Sequence, residues 1–246
     1  MALLHVAVSV LTLLSVGHSA PITDCESLTK PVGIQGREQL LGRWTYIAES
    51  SDVDGSNVLT KQFVDTIWGK ITASEKSDVL HLYQVQKIFD QCFAMKANLT
   101  LANNTISMTT PFNSSDILLN TGCTDCLVFL SRHNIGGSPH LGLQLLSKRK
   151  IVSANELQEF KKQASCLNLT SPVVFDPEKG FCPDESSSQN PEAFDLNTLI
   201  ASMDSGDTDV LERFFEKILN PESLMKMFVR IMTNTSEWVS EMENWQ

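Results

Sequence analysis

Short runs of alternating apolar and polar residues dominate the first two thirds of the chain, which is the period of a β-strand with one buried face. The first strong run follows Gly42, and Trp44, Tyr46 and Ala48 occupy alternate positions in it. These three side chains are therefore expected to share one face of a strand. A tryptophan two residues after a turn glycine suggests a barrel whose base the indole closes. The alternative is an ordinary core tryptophan.

Seven further strand-like runs follow, and turn-forming stretches separate them. They cover residues 63–68, 79–88, 91–101, 105–110, 117–122, 127–132 and 141–147. Together with residues 44–49 this makes eight strands, at the spacing typical of an up-and-down antiparallel barrel. The predicted fold class is therefore all-β, an eight-stranded barrel.

The period changes to a helical one after the last strand. Ser153 and Glu156 have the spacing of a capping box, and apolar residues then recur from Leu157 at helical intervals. This pattern predicts one amphipathic helix that flanks the barrel and ends near Cys166. The barrel domain is assigned to residues 21–183.

A C-terminal extension, residues 184–246, carries apolar stripes at helical spacing. The stripes predict amphipathic helices that must pack against something. Packing on the barrel, a lipid or lipoprotein surface, and a partner helix remain alternatives. The extension holds 13 acidic and 4 basic side chains, which accounts for most of the net charge of −10. This acidity argues against an anionic membrane, and no basic stripe indicates nucleic-acid binding.

The N-terminus has the pattern of a secretory signal. An apolar run over residues 3–16 precedes the small residues Gly17, Ser19 and Ala20. We assign residues 1–20 to a signal peptide, with an uncleaved anchor as the alternative. The run is too short to span a bilayer, and no later stretch is long enough to do so.

Cysteines and glycosylation sequons fit an extracellular protein. The six cysteines form an even set, as a disulfide framework requires. Five Asn-x-Ser/Thr sequons predict a glycosylated surface. They begin at Asn98, Asn103, Asn113, Asn168 and Asn234.

Cys123 and Cys126 form a Cys-x-x-Cys pair between two strand-like runs. A local disulfide that closes a hairpin with Thr124 and Asp125 as its turn is the favoured interpretation. Redox activity, which normally needs a helix N-terminus beside the thiol, and a free or rearranged pair remain open. A zinc site lacks a second pair of ligands, so no metal and no cofactor is expected.

Four features in this order resemble the lipocalins: Gly42-Arg43-Trp44, Asp90-Gln91-Cys92, the helix over 156–166, and Phe181-Cys182. The resemblance covers residues 25–183. It extends to the group of alpha-1-acid glycoprotein and apolipoprotein M, which includes fish plasma proteins that bind organotins or guanidinium toxins. The second lipocalin motif, usually Thr-Asp-Tyr, is not intact, because Cys126 follows Thr124 and Asp125.

The resemblance implies two long disulfides, Cys25–Cys166 and Cys92–Cys182. It also implies that Arg149 packs over the indole of Trp44 and closes the barrel base, as a guanidinium on an indole face can. A solvated turn at Arg149 is the alternative. No hydrolase, metalloprotease, phosphate-binding or dinucleotide motif occurs, so an enzyme is not expected.

The lipocalin fold implies one small ligand inside the barrel. Tyr46 is the first candidate for the cavity wall, because it shares the inner face with Trp44. Register is not fixed by the sequence, and a slip of one residue exchanges the two faces. The other candidates are Phe63, Trp68, Leu80, Leu82, Phe93, Leu118, Phe129 and Leu143.

The sequence thus predicts a secreted, extracellular carrier of a small hydrophobic or amphipathic ligand. The alternative is an extracellular interaction or lipoprotein-associated protein that acts through the amphipathic helices of its C-terminal extension.

Overall fold

Eight antiparallel strands form a closed barrel in the computed structural model, which describes residues 24–109, 113–135, 138–184, 194, 195 and 197. The strands are β1 Gly42–Ser51, β2 Val64–Ala73, β3 Val79–Ile88, β4 Gln91–Ala102, β5 Thr105–Met108, β6 Ser114–Leu119, β7 Cys126–Ile135 and β8 Ser138–Ser147. Each strand pairs with the next, and β8 pairs with β1. The predicted eight-stranded up-and-down barrel is confirmed. The predicted signal peptide, the sequon at Asn234 and the predicted apolar stripes of the extension lie outside the described residues.

Short elements flank the barrel. The helices are α1 Cys25–Leu28, α2 Ser56–Phe63 and α3 Ala154–Cys166, and the 3₁₀ turns are Arg37–Gln39 and Pro177–Lys179. Strand β9, Val173–Val174, pairs with β1, and β10, Phe194–Asp195, pairs with β4 in parallel. Among the described residues no helix is long and apolar enough to cross a membrane.

Helix α3 begins at the predicted capping box. The Ser153 hydroxyl accepts a hydrogen bond from the backbone N–H of Glu156, and the Glu156 carboxylate accepts one from the backbone N–H of Ser153. Phe160 and Ala164 of this helix are buried in one cluster with Leu143 and Leu145 of β8. The strands beneath α3 therefore have two apolar faces, one toward the helix and one toward the barrel interior.

A β-bulge interrupts the alternation in β1. The pairing of β1 with β8 shifts between Tyr46 and Ala48. Ile47 and Ala48 both join the cluster under α3, whereas Trp44 and Tyr46 belong to the barrel core. The expectation that Ala48 shares the inner face is therefore wrong, because the extra residue turns it outward.

Two other local predictions are corrected. Phe63 ends α2 rather than opening a strand, and its ring packs edge-on against Phe89 at a centroid distance of 5.1 Å. The strand predicted over 117–122 is β6, which ends at Leu119. The connection from β6 to β7 is therefore six residues long and not a two-residue turn.

All six cysteines lie in described residues and are paired. The pairs are Cys25–Cys166, Cys92–Cys182 and Cys123–Cys126, the same pairs that the sequence analysis expects. The first ties α1 to α3, and the second ties the segment after the Pro177–Lys179 turn to β4. The long loops restrict the unfolded chain most, and each is worth about 4–5 kcal/mol in the chain-entropy model.

The seam between β4 and β5 is only partly paired. β5 is four residues long and reaches β4 only from Leu99 to Ala102. Above this ladder, β10 pairs with Phe93 and Ala94. The side-chain amide of Asn197 accepts a hydrogen bond from the Lys96 N–H and donates one to the Lys96 carbonyl, at 2.8 and 2.7 Å. Residues 194, 195 and 197 of the extension therefore lie along the upper edge of β4.

Candidate functional site: the barrel cavity

The barrel encloses a cavity of about 630 Å³. Its wall combines an apolar part with a polar part, and side chains from β1 to β8 contribute to it. The lining residues are Tyr46, Ile71, Leu82, Gln84, Gln86, Met95, Leu99, Ile106, Met108, Asn113, Ser114, Asp116, Phe129, Ser131, His133, Asn134, Gln144 and Leu146. A volume of this size lies in the range of small-molecule sites in proteins.

Trp44 lies in the core below the cavity, 3% exposed, and its indole N–H donates a 2.7 Å hydrogen bond to the Leu40 carbonyl. The Lys148 ammonium lies 3.5 Å from the centroid of this indole and donates a hydrogen bond to the Leu41 carbonyl. Gly42 has φ +98°, and a Cβ there would come within 3.0 Å of the Lys148 ammonium. A glycine at this position therefore leaves room for the closing cation.

The prediction that Arg149 closes the barrel base is wrong, because Lys148 is the residue over the indole. The physical reason is the two-residue period of a strand: Gln144 and Leu146 line the cavity, and Lys148 continues their face. Arg149 points the other way. It forms ion pairs with Asp125 and Glu156 at 2.7 and 2.8 Å.

Arg149 also lies beside the Cys123–Cys126 disulfide. Its guanidinium is 3.1 Å from the Cys123 sulfur, and the hydrogen bonds that it donates to the carboxylates of Asp125 and Glu156 raise the pKa of Arg149. The cation thus links the β6–β7 connection to the first turn of α3. Together, the ion pairs and the disulfide stabilise the β6–β7 connection against α3 on the outer side of the barrel.

Tyr46 lines the cavity and is 7% exposed. Its hydroxyl donates a 2.8 Å hydrogen bond to Oε1 of Gln84 on β3. Gly69 of β2 lies beneath the ring, since a Cβ there would sit 3.5 Å from Tyr46 Cε2. Burial raises the pKa of the Tyr46 phenol, so the hydroxyl stays protonated and remains a donor.

A polar group of side chains from β6 and β7 forms one wall of the cavity. It consists of Ser114, Asp116, Ser131 and His133, and the ladder pairs Ser114 with His133 and Asp116 with Ser131. Burial raises the pKa of Asp116, while hydrogen bonds from the two serines and the nearby His133 act in the opposite direction. Oδ1 of Asp116 is buried and has no hydrogen-bond partner among the described residues.

A second carboxyl group, Glu49 of β1, lies opposite Gln144 of β8 and lines a smaller adjoining pocket instead of the main cavity. The Thr60 hydroxyl of α2 donates a 2.9 Å hydrogen bond to Oε1 of Glu49. Burial raises the pKa of Glu49, and hydrogen bonds from Thr60 and Gln144 partly offset that effect. Gln144 therefore connects the Glu49 environment with the main cavity, whose wall it also forms.

Three of the nine predicted wall residues line the cavity: Tyr46, Leu82 and Phe129. Leu80 and Leu118 belong to the core cluster around Trp44 and do not line the cavity. Phe93 is fully buried and is likewise not part of the wall.

The other three predicted wall residues lie outside the barrel interior. Phe63 is in α2. Trp68 faces outward, where its indole N–H donates to the Cys182 carbonyl at 2.9 Å and Arg43 lies 3.9 Å from its ring centroid. Leu143 faces α3. The expected face is wrong for Trp68 and Leu143. The segment at Phe181 and Cys182 covers the outer surface of β2, and α3 covers that of β8, so apolar residues are buried on the outer side of these strands as well.

Sequence reasoning missed most of the polar wall. It selected apolar positions, whereas Gln84, Gln86, Ser131 and Gln144 alternate with residues that face the other side. The strand period alone places Gln84 and Gln86 on the face of Leu82. The sequence therefore contained this two-residue period, but the assumption that polar residues face solvent excluded the glutamines from the predicted wall.

Four of the five predicted glycosylation sites fall in the described residues, and all four are exposed: Asn98, Asn103, Asn113 and Asn168. Asn113 also lines the cavity. A glycan attached there would flank the cavity mouth.

Neither a protein-family model nor a curated protein matches this sequence. Solved structures do match. The siderocalin Ex-FABP superposes with a TM-score of 0.50 at 17% identity, covering 56% of this chain and 93% of that protein. The odorant binding protein OBP1 superposes with a TM-score of 0.51 at 13% identity, covering 62% of this chain and 99% of that protein. Both neighbours are lipocalins, and the barrel has the lipocalin fold.

Proposed function

We propose that this protein is a secreted carrier that binds one small hydrophobic or amphipathic ligand inside the barrel. The observation that carries this proposal is the cavity of about 630 Å³ with its apolar walls. Burying apolar ligand surface against Ile71, Leu99 and Phe129 supplies affinity of about 25 cal/mol per Å² before the costs of association. We place the ligand's apolar part against these residues and its polar part at the β6–β7 wall.

The neighbours' names are consistent with a binding function. One is described as a siderocalin with dual ligand specificities and the other as an odorant binding protein. We take from them the general role of a binding barrel and no particular ligand. Membership of the alpha-1-acid glycoprotein and apolipoprotein M group is part of the proposal. It rests on the sequence features quoted above.

Three features support secretion. The N-terminal apolar run has the pattern of a signal peptide, the chain carries five sequons, and three disulfides use every cysteine. Disulfides persist in oxidising compartments and are rare in the cytosol. We therefore propose an extracellular, glycosylated protein.

Titration with an apolar fluorescent probe tests the proposal, and Met108→Trp provides a blocked cavity. Met108 lines the cavity, so an indole there fills space that a ligand needs. Ser107→Trp is the matched control, because the neighbouring residue on β5 points to the opposite face. We expect one saturable site in the wild type and in Ser107→Trp, and loss of that site in Met108→Trp. Equal binding by all three proteins would contradict a site inside the barrel.

A further inference from the structure

One wall of the cavity holds a carboxylate oxygen that has no hydrogen-bond donor among the described residues. Oδ1 of Asp116 is buried and accepts no hydrogen bond from the described residues. A buried acceptor without a donor is costly, and native proteins normally satisfy such atoms with protein groups, water or a ligand. Since Asp116 lines the cavity, a ligand inside the barrel can reach this group.

The charges around the cavity restrict what that ligand can be. The described lining residues include neither lysine nor arginine, and Asp116 is the one carboxyl group among them. A ligand carboxylate in this space would meet the Asp116 carboxyl, with no lysine or arginine of the described wall to pair with it. The wall is therefore unsuited to an acid and suited to a hydrogen-bond donor.

The apolar part of the wall indicates the chemistry of the rest of the ligand. Leu99, Ile106 and Met108 line the cavity from β4 and β5, and Ser114 and Asp116 line it from the adjoining β6. A ligand with an aliphatic body and one polar end can therefore bury its body against the first group while its end reaches the second. Asp116 lies directly opposite Ile106, and Ser114 opposite Met108, so the polar group adjoins the apolar one across the β5–β6 ladder.

We propose that Asp116 is the specificity-determining residue of the cavity and that it accepts a hydrogen bond from the polar end of an amphipathic ligand, so that hydroxyl-type donors are selected over carboxylates. Ser114 and Ser131 act as positioning residues, because their hydroxyls hydrogen-bond to the same carboxyl group. A hydrogen bond from the ligand would offset part of the cost of burying Oδ1 of Asp116 without a donor. This inference rests on the proposed carrier function and adds the chemistry of the ligand's polar end.

A matched set of three ligands tests the inference on the full chain without any substitution. Dodecan-1-ol has a donor at its polar end, its methyl ether has none, and dodecanoate is the acid of equal chain length. Displacement of an apolar probe gives the three affinities. We expect the alcohol to bind roughly 10-fold more tightly than the ether, since a site built for a donor rejects the analogue that lacks it. We expect dodecanoate to bind more weakly than the alcohol.

Asp116→Asn assigns the effect to the residue. The amide keeps the shape of the side chain but removes the charge, and the preference for alcohol over ether should shrink to about 2-fold or less. Glu49→Gln is the matched control: it makes the same chemical change at a carboxyl that Thr60 already satisfies and that does not line the cavity. This control should keep the wild-type preference.

The outcomes separate the two proposals. If the probe does not bind the wild type, the carrier function itself fails. If the probe binds and the alcohol and ether displace it equally, or if dodecanoate is the tightest ligand, the carrier function stands and the role of Asp116 is overturned. A preference that Asp116→Asn leaves unchanged also overturns it.

Discussion

The hydroxyl of Tyr46 donates a 2.8 Å hydrogen bond to Oε1 of Gln84 and so connects β1 to β3 across β2. The Tyr46 ring can cross β2 because Gly69, on that intervening strand, has no side chain to occupy the space beneath it. Both groups line the cavity. The bond therefore gives the wall a fixed aromatic surface and satisfies two buried polar groups that an apolar ligand would otherwise leave unpaired.

Substitutions of Tyr46 separate the ring from the hydroxyl. Tyr46→Phe keeps the apolar surface but leaves Gln84 without its donor, and we expect it to lower the free energy of unfolding by about 1 kcal/mol with little loss of probe affinity. Tyr46→Ala removes the ring, and we expect probe binding to weaken by about 1–3 kcal/mol. Chemical denaturation and probe titration measure the two effects. Equal probe affinity in wild type and Tyr46→Ala would show that the ligand does not contact this part of the wall.

Trp44 and Lys148 are expected to act on stability rather than on ligand choice. Trp44→Ala removes a buried indole and should cost about 3–5 kcal/mol of unfolding free energy. Lys148→Met keeps the aliphatic stem but removes the cation from the indole face, and should cost about 0.5–2 kcal/mol.

Arg149→Met is the control for Lys148→Met. Urea denaturation measures the free energy of unfolding of both variants, and indole emission reports on the surroundings of Trp44. Lys148→Met should change the Trp44 fluorescence, because the Lys148 ammonium lies over that ring whereas Arg149 is paired with Asp125 and Glu156. A change of indole emission in Arg149→Met and none in Lys148→Met would contradict the observed closure of the base.

Glu49 makes stability depend on pH. Burial raises its pKa in the folded state above the ordinary value of about 4.3 for the unfolded chain. The folded state then binds more protons between the two pKa values, so stability falls as pH rises through that interval. Glu49→Gln cannot ionise, and its amide oxygen still accepts from Thr60. We expect this variant to gain stability over the wild type as pH rises from about 4 to 8.

Thermal unfolding of both proteins across that range measures the difference. Glu38→Gln, at an exposed position, should show no comparable divergence. A Glu49→Gln protein that is less stable than the wild type at pH 8 would contradict the assignment.

The contact of Asn197 with β4 predicts local protection of that strand edge. Asn197→Ala removes the group that pairs with both backbone polar atoms of Lys96, and we expect the Lys96 amide to exchange hydrogen faster. Residues 99–102 serve as the internal control, because β5 pairs with them. Unchanged exchange at Lys96 would show that the contact contributes no protection.

Truncation after Asp184 tests where the function lies. The shortened chain keeps the Cys92–Cys182 disulfide and every residue that lines the cavity. We expect probe affinity to stay within about 3-fold of the full chain, a change below 1 kcal/mol. Loss of binding in a chain that still shows the wild-type β-sheet circular dichroism would favour a function carried by the extension.

Strand period and capping chemistry were enough to predict the architecture. The alternation places β3 at residues 79–88 as observed, and the Ser153–Glu156 capping box marks the start of α3. Helix α2 was missed because it is only eight residues long and no side-chain cap at Gly55 marks its start. Propensity in so short a segment is readily overridden by its tertiary surroundings.

The cavity wall was harder to predict than the fold. Leu143 and Trp68 are apolar and buried, but the buried side faces covering segments and not the ligand space. The bulge after Tyr46 then exchanges the faces within one strand. Asp116 is the converse case: a charged residue faces inward, and a hydrophobicity pattern assigns such a residue to solvent. These positions depend on what packs against each strand from elsewhere in the chain.

The most direct test of a ligand site inside the barrel is to locate a bound ligand. We would crystallise the full chain with 12-bromododecan-1-ol and map the bromine by anomalous scattering. The account predicts one bromine peak per chain inside the barrel, near the apolar side chains of Ile71, Leu99 and Phe129, with the hydroxyl directed toward Asp116. Bromine found only on the outer surface of the barrel, with the cavity free of ligand density, would contradict it.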